Sequence, residues 1–224
     1  VNALKTRIIE GLTTYSKSTD VNKFGGRFKY SKALNIIDDI DKAITSNITR
    51  VKIRRNLRAV LNSFAQYELC FGNQFRINQE GKNIKSTGFT IEGENEIVYI
   101  TDIPNKDNNG NLDGSGLGVI SIVREDSLRN TVVVVKSAGT VDYIHGEIIL
   151  TTVNITSTVK ENNVIEIQAF PDSNDVVGLK DLYLDFSISN STINMVKDTI
   201  TSGEQISGVG FKVTSSYSNG ELTR

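Results

Sequence analysis

The sequence has little of the residues that carry most protein chemistry. Its 224 positions include one cysteine, one histidine, one methionine, two prolines and no tryptophan. A single cysteine, Cys70, excludes an internal disulfide and any thiolate cluster for zinc or iron–sulfur. A single histidine, His145, excludes multi-histidine metal sites, and a Ser–His–Asp triad would have to run through it. No apolar run approaches the roughly 18 residues of a membrane-spanning helix. No charged-then-apolar leader occurs either. Charge of one sign is also missing. Twenty-five Lys and Arg against 26 Asp and Glu leave a formal net charge of −1. That balance argues against a globally basic nucleic-acid binder and offers little repulsion against self-association.

What is present reads as α+β. The hydrophobic share of 38% argues against bulk disorder. Leu4, Ile8, Leu12 and Tyr15 form one apolar stripe at helical spacing, which predicts a helix over 2–16. Gly25-Gly26 break the chain before a short extended stretch at 27–30. Ser31 is placed to cap a second helix carrying Leu34, Ile37 and Ile40, which ends near Asp38, Asp39 and Asp41. Residues 45–58 read as a long strand. From residue 64 the pattern is β, with strands expected at 64–71, 84–91, 96–103, 117–124, 130–137, 139–145, 147–155, 163–170 and 181–189. In the last, Leu182, Leu184, Phe186 and Ile188 alternate with polar or smaller neighbours. Val132–Val135 is a continuous apolar run, expected to be covered on both faces.

The expected organisation is a small helix-containing region at 1–60, a mainly antiparallel β-rich domain at 61–200, and an extended arm at 201–224. The chain opens directly on a helix that needs a partner layer. That suggests the C-terminal piece of a longer polypeptide.

Candidate chemistry is sparse. The loop Asn105–Gly118 has the Asx and Gly content of a calcium loop, but the twelfth place is Gly116 where a bidentate Glu is required. Gly114-Ser115-Gly116-Leu117-Gly118 lacks the spacing and the following helix of a phosphate loop. His145-Gly146 reads as a two-residue turn between strands, with His tolerating positive φ. Cys70, between Leu69 and Phe71, reads as a small core residue. No catalytic residue, metal ligand or cofactor site follows from the sequence, and an enzyme is not expected.

The sharpest local feature is basic. Arg50, Lys52 and Arg54 recur at period two and share one strand face, while Val51 and Ile53 share the other; Arg55 and Arg58 extend the charge. No stacking aromatics alternate with these residues, which weakens a nucleic-acid reading. A solvated face is one alternative. A protein contact meeting groups such as Asp38, Asp39 and Asp41 is another.

Several stretches taken in order carry a resemblance. They are Phe24–Lys32, Ala43–Val51, Tyr67–Phe71, Gly139–Tyr143 with Gly146, Ser173–Val177 with Asp181–Tyr183, and Ser215–Ser218. Together they resemble the C-terminal part of the baseplate wedge subunit of T-even-type contractile-tail phages, in the baseplate-J-like group. The resemblance implies a structural subunit of the virion tail, assembled in the host cytoplasm. It implies pairing as homodimers, contacts with other wedge subunits, and linkage of neighbouring wedges into a ring around the tail hub. It implies no catalytic residues, cofactor, nucleic acid, membrane or small-molecule substrate. A sugar- or receptor-binding β-module of a phage fibre or adhesin is the alternative, which exposed aromatic platforms would favour.

Overall fold

The computed structural model describes residues 2–196, 217–218 and 221–222. Two compact units divide the chain, Val1–Thr192 and Ile193–Arg224. In the first, helix α1 (Asn2–Ser16) and strand β1 (Arg27–Phe28) precede helix α2 (Tyr30–Asp38). The strands that follow are β2 (Ile53–Arg58), β3 (Phe64–Cys70), β4 (Lys85–Ser86), β5 (Phe89–Ile91), β6 (Glu94–Pro104), β7 (Leu117–Glu125), β8 (Thr131–Asp142), β9 (Glu147–Thr158), β10 (Val164–Ala169) and β11 (Val176–Val177). In the second unit β12 (Tyr217–Ser218) pairs with β13 (Glu221–Leu222). The fold is α+β, as the alternation and the two helical stripes predict. The rest of the arm expected at 201–224 lies outside the described residues.

Among the described residues all the strand pairings are antiparallel, and five of them close a circuit. β6 pairs with β5, β5 with β9, β9 with β8, β8 with β7, and β7 again with β6. Alternating residues of these strands fill the main core, in which Phe89, Val98, Ile120, Ile122, Val141, Ile148 and Ile155 are almost wholly buried. Closing the sheet on itself leaves fewer strand edges open to water. β3 flanks β9, and β4 links β6 to β10, which carries β2.

A second, smaller core holds the helices. Ile8, Leu12 and Tyr15 are buried on α1, as their spacing predicts. Tyr15, Val21, Phe28, Ala33 and Val176 pack together, with Leu184 and Phe186 half-buried against them. β1 pairs with β11, so residues nearly 150 positions apart in sequence build this layer.

Two buried polar groups, Asp102 and Asn83, and the half-buried Asn73 tie the loops to the main core. Asp102 is fully buried. Its Oδ1 accepts from the Ile84 N–H at 2.6 Å and its Oδ2 accepts from the Tyr143 hydroxyl at 2.7 Å. Asn83 donates to the carbonyls of Arg76 and Phe170 and accepts from the Phe170 N–H. Asn73 reads β11 like a strand: its amide donates to the Val177 carbonyl at 2.8 Å and accepts from the Val177 N–H at 2.9 Å. Such groups stabilise only while they are satisfied.

Burial raises the Asp102 carboxyl above its ordinary value of 3.8, against the opposing pull of the Tyr143 and backbone donors. The native state therefore holds this proton more tightly than the unfolded chain does. Below 3.8 the contribution is complete, and it is lost as pH rises from 3.8 through the raised native value. The melting temperature of the parent, relative to Asp102→Asn, is expected to fall as pH rises across about 3 to 7. A difference that stays flat or rises would contradict this. The comparison isolates Asp102 from surface carboxylates such as Asp41 and Asp126, whose lowered values act in the opposite sense.

Several local expectations are corrected. The strand expected over 45–58 begins only at Ile53, because β10 ends at Ala169 opposite it and Pro171, with no N–H, follows. The second helix starts one residue before Ser31. Its first N–H, on Tyr30, is met at 2.9 Å by the distant Asp175 carboxylate. The strands expected at 130–137 and 139–145 are one strand, β8. Residues 181–189 form no strand beyond one bridge, Phe24 to Tyr183. Their alternation is real in packing, since Leu184 and Phe186 turn inward, but no ladder partner runs beside them.

Val132–Val135 is not covered on both faces, and Val133 is 50% exposed. Cys70 is half-buried; the strand register sends Leu69 inward and turns Cys70 away. The turn at His145 spans Tyr143–Gly146. Only Gly146 there has positive φ, at 69°, while Asp142 accepts from the N–H groups of Ile144 and His145.

Candidate interaction surface

The alternation read at 50–54 survives although the ladder starts late. Arg50, Lys52 and Arg54 are exposed, while Val51 and Ile53 between them are half-buried against the helical core. Tyr30 holds the segment by donating its hydroxyl to the Thr49 carbonyl at 2.9 Å. The three cations differ in their surroundings. Arg54 pairs across the ladder with Glu166 at 3.1 Å, and Lys160 approaches the other Glu166 oxygen at 3.6 Å. The Lys52 ammonium lies 5.2 Å from the centre of the Phe170 ring. Arg55 points to the opposite, half-buried side of β2, and Arg58 is exposed.

The acidic group sits at the end of α2. Asp41 accepts from Arg7 at 2.7 Å and from the Ala43 N–H at 3.0 Å. Both contacts hold its carboxyl below the usual range. Arg7 also donates to the Ile40 carbonyl, so one guanidinium fastens α1 to the end of α2. Asp38 accepts from the Asn47 side chain, and Asp38 and Asp39 are exposed. Among the described residues no ion pair joins Asp38, Asp39 or Asp41 to Arg50, Lys52 or Arg54. The structure therefore brings the two sets near one layer without matching them within the chain.

The remaining candidates are local. Asp107 accepts from the N–H groups of Asn109 and Asn111, and Asp113 from Ser115, so these carboxylates close turns of their own loop. His145 is exposed, and its Nδ1 lies 2.7 Å from Asp142 Oδ2, which raises its proton affinity. Among the described residues no three His, Cys, Asp or Glu side chains are grouped to hold a metal ion. No helix among them is long and apolar enough to cross a membrane.

Within the first unit, several of the stretches that carried the resemblance meet in space. Phe24–Lys32 lies against Ser173–Val177 through the β1–β11 ladder and the bond from Tyr30 N–H to Asp175. Phe24 meets Tyr183 with ring centroids 4.0 Å apart. The Phe71 N–H donates to the Gly146 carbonyl at 2.8 Å, joining two further stretches. Residues 1–56 match the family model of baseplate structural protein gp6, C-terminal domain III. The match covers a quarter of the chain, namely α1, β1, α2 and the first four residues of β2. No curated protein matches the sequence. The gp6 domain III match supports a structural role in a phage tail baseplate. The matched segment is not an isolated layer here, because β1 and β2 both complete ladders with strands beyond residue 160.

Sequence reasoning did not single out Asn73, Asn83 or Asp102. Only Asp102 left a trace, as a carboxylate inside an otherwise apolar strand pattern from Val98 to Ile103.

Proposed function

We propose that the chain is a structural subunit of a phage tail baseplate wedge. In this reading it pairs with a second copy, contacts other wedge subunits and links neighbouring wedges into the ring around the tail hub. The observation that carries it is the match of residues 1–56 to a baseplate domain, reinforced by the pairing of two resembling stretches, Phe24–Lys32 and Ser173–Val177, in one layer. The role is mechanical: no cofactor, nucleic acid, membrane or small-molecule substrate enters it. Assembly in the host cytoplasm belongs to the same reading.

Within that reading the basic face is an assembly contact. Arg54 already has Glu166, so Arg50 and Lys52 are the cations offered outward, and Asp38 and Asp39 are the exposed acids a neighbour's cations would meet. Exposed pairs contribute only about 0–1 kcal/mol each, so they set orientation while apolar neighbours supply most of the affinity. The double reversal Arg50→Glu, Lys52→Glu is expected to weaken self-association or wedge assembly roughly tenfold at unchanged melting temperature. Light scattering and incorporation into baseplates measure this. Unchanged mass together with normal incorporation would show a merely solvated face, and tight salt-sensitive DNA binding by the parent would revive the nucleic-acid alternative.

One observation favours the fibre-module alternative. Phe24 and Tyr183 are 58% and 57% exposed and pack together with their rings tilted by 40°. Each covers part of the other's face, which leaves a smaller platform for a sugar ring. Oligosaccharide binding abolished by Tyr183→Ala would favour that second reading.

A further inference from the structure

Among the described residues several strand edges are open, and those of β2 and the first half of β8 are built differently. The outer edge of β2 carries Arg54, Arg55 and Arg58. Charged side chains of this kind guard an edge against pairing with another chain. The first half of β8 has no such guard. Thr131–Val135 pairs with β7 on one side, with Val133 opposite Val123 and Val132 opposite Arg124. On the other side β9 joins β8 only from Gly139 onward. Among the described residues no strand pairs with 131–137 there. The stretch is Thr131-Val132-Val133-Val134-Val135-Lys136, with one charge, at its end.

The edge is held ready. Asp126 accepts from the N–H groups of Leu128 and Asn130 and from the Asn130 amide, which locks the turn that feeds β8. Val133 is half exposed beside the buried Val123, and Tyr99 follows in the same cross-strand row. Four β-branched residues on an unguarded, preformed edge are what an added strand needs, and are a hazard if left bare.

We propose that this edge docks against the same edge of a second copy, antiparallel about a two-fold axis, with Val133 facing Val133. The inference rests on the self-association in the reading above and names a surface for it. Self-complementarity selects the occupant. An isologous antiparallel pairing must place one residue opposite itself. Centred on Val133, it sets Val132 against Val134, Thr131 against Val135, and Lys136 against the neutral Asn130. Every central pair is β-branched and no like charges meet, which favours pairing. Centring on Val134 would instead set Lys136 against Val132. The row Tyr99–Val123–Val133 then continues into its mate.

Two variants of the 224-residue chain test this. Val133→Lys places like charges opposite each other at the axis and is expected to raise the dimer dissociation constant roughly tenfold or more, read by analytical ultracentrifugation. Its melting temperature should hold, because the position is half exposed. Leu112→Lys, on the distant loop, is the control and should leave the constant unchanged. Independently, Val133→Cys in a Cys70→Ser background should form a disulfide-linked dimer under mild oxidation. Directly opposed strand residues lie about 4.5–5.5 Å apart at Cα, within disulfide reach. A dimer whose constant Val133→Lys does not change, and which Val133→Cys does not cross-link, would overturn the inference and leave self-association standing on another surface. A parent that stays monomeric at every concentration would overturn both the inference and the pairing half of the functional reading.

Discussion

Asp102→Ala is expected to lower stability by about 2–5 kcal/mol, because it orphans two buried donors at once. The Ile84 N–H and the Tyr143 hydroxyl both lose their acceptor, at a carboxylate that is fully buried. For a chain of this size the melting temperature should fall by roughly 5–15 °C. Tyr143→Phe removes only one of the two bonds and should cost less, about 1–2 kcal/mol. Thermal unfolding of the two variants checks the order. A Tyr143→Phe loss larger than that of Asp102→Ala would contradict the assignment of Asp102 as the hub of this network.

Gly146→Ala is expected to be comparably severe, at about 3–5 kcal/mol, for two separate reasons. Its φ of 69° is a conformation that side chains disfavour, and an added Cβ would stand 2.0 Å from the Asn73 carbonyl oxygen. Backbone must therefore move, and Asn73 is the residue that holds Val177 by two hydrogen bonds. The disturbance should pass from the main core to the β1–β11 layer. Amide exchange at Val177 is expected to accelerate together with the drop in melting temperature. Unchanged exchange at Val177 would show that Asn73 is not the joint between the two cores.

Legibility in the sequence followed local periodicity and failed where a partner decides the outcome. The stripe Leu4–Ile8–Leu12–Tyr15 was readable because a helix satisfies its own backbone and only one face has to be buried. Strand Ile165–Ile167–Ala169 was readable because alternation marks its buried face. Val132–Val135 was not, because four β-branched residues read alike in a covered strand and on an open edge. Residues 181–189 alternate as a strand does, yet only Leu184 and Phe186 find a core, and no neighbouring strand arrives to complete a ladder. The basic face was legible as a face. Its contacts were not, since Glu166 lies 112 positions from Arg54 and Arg7 lies 34 positions from Asp41. The Asx-rich loop showed its composition in the sequence, but only the structure shows Asp107 and Asp113 used up in turns.

The central claim is that this chain is a structural part of a tail baseplate, and imaging tests it most directly. A bulky fluorescent-protein tag on the 224-residue chain, expressed during infection and followed by electron microscopy of purified tails, reports where the chain resides. The account predicts added density in the ring around the tail hub, repeated once or more per wedge. Tag density confined to the fibres, or tails of full occupancy that carry no tagged chain at all, would contradict it.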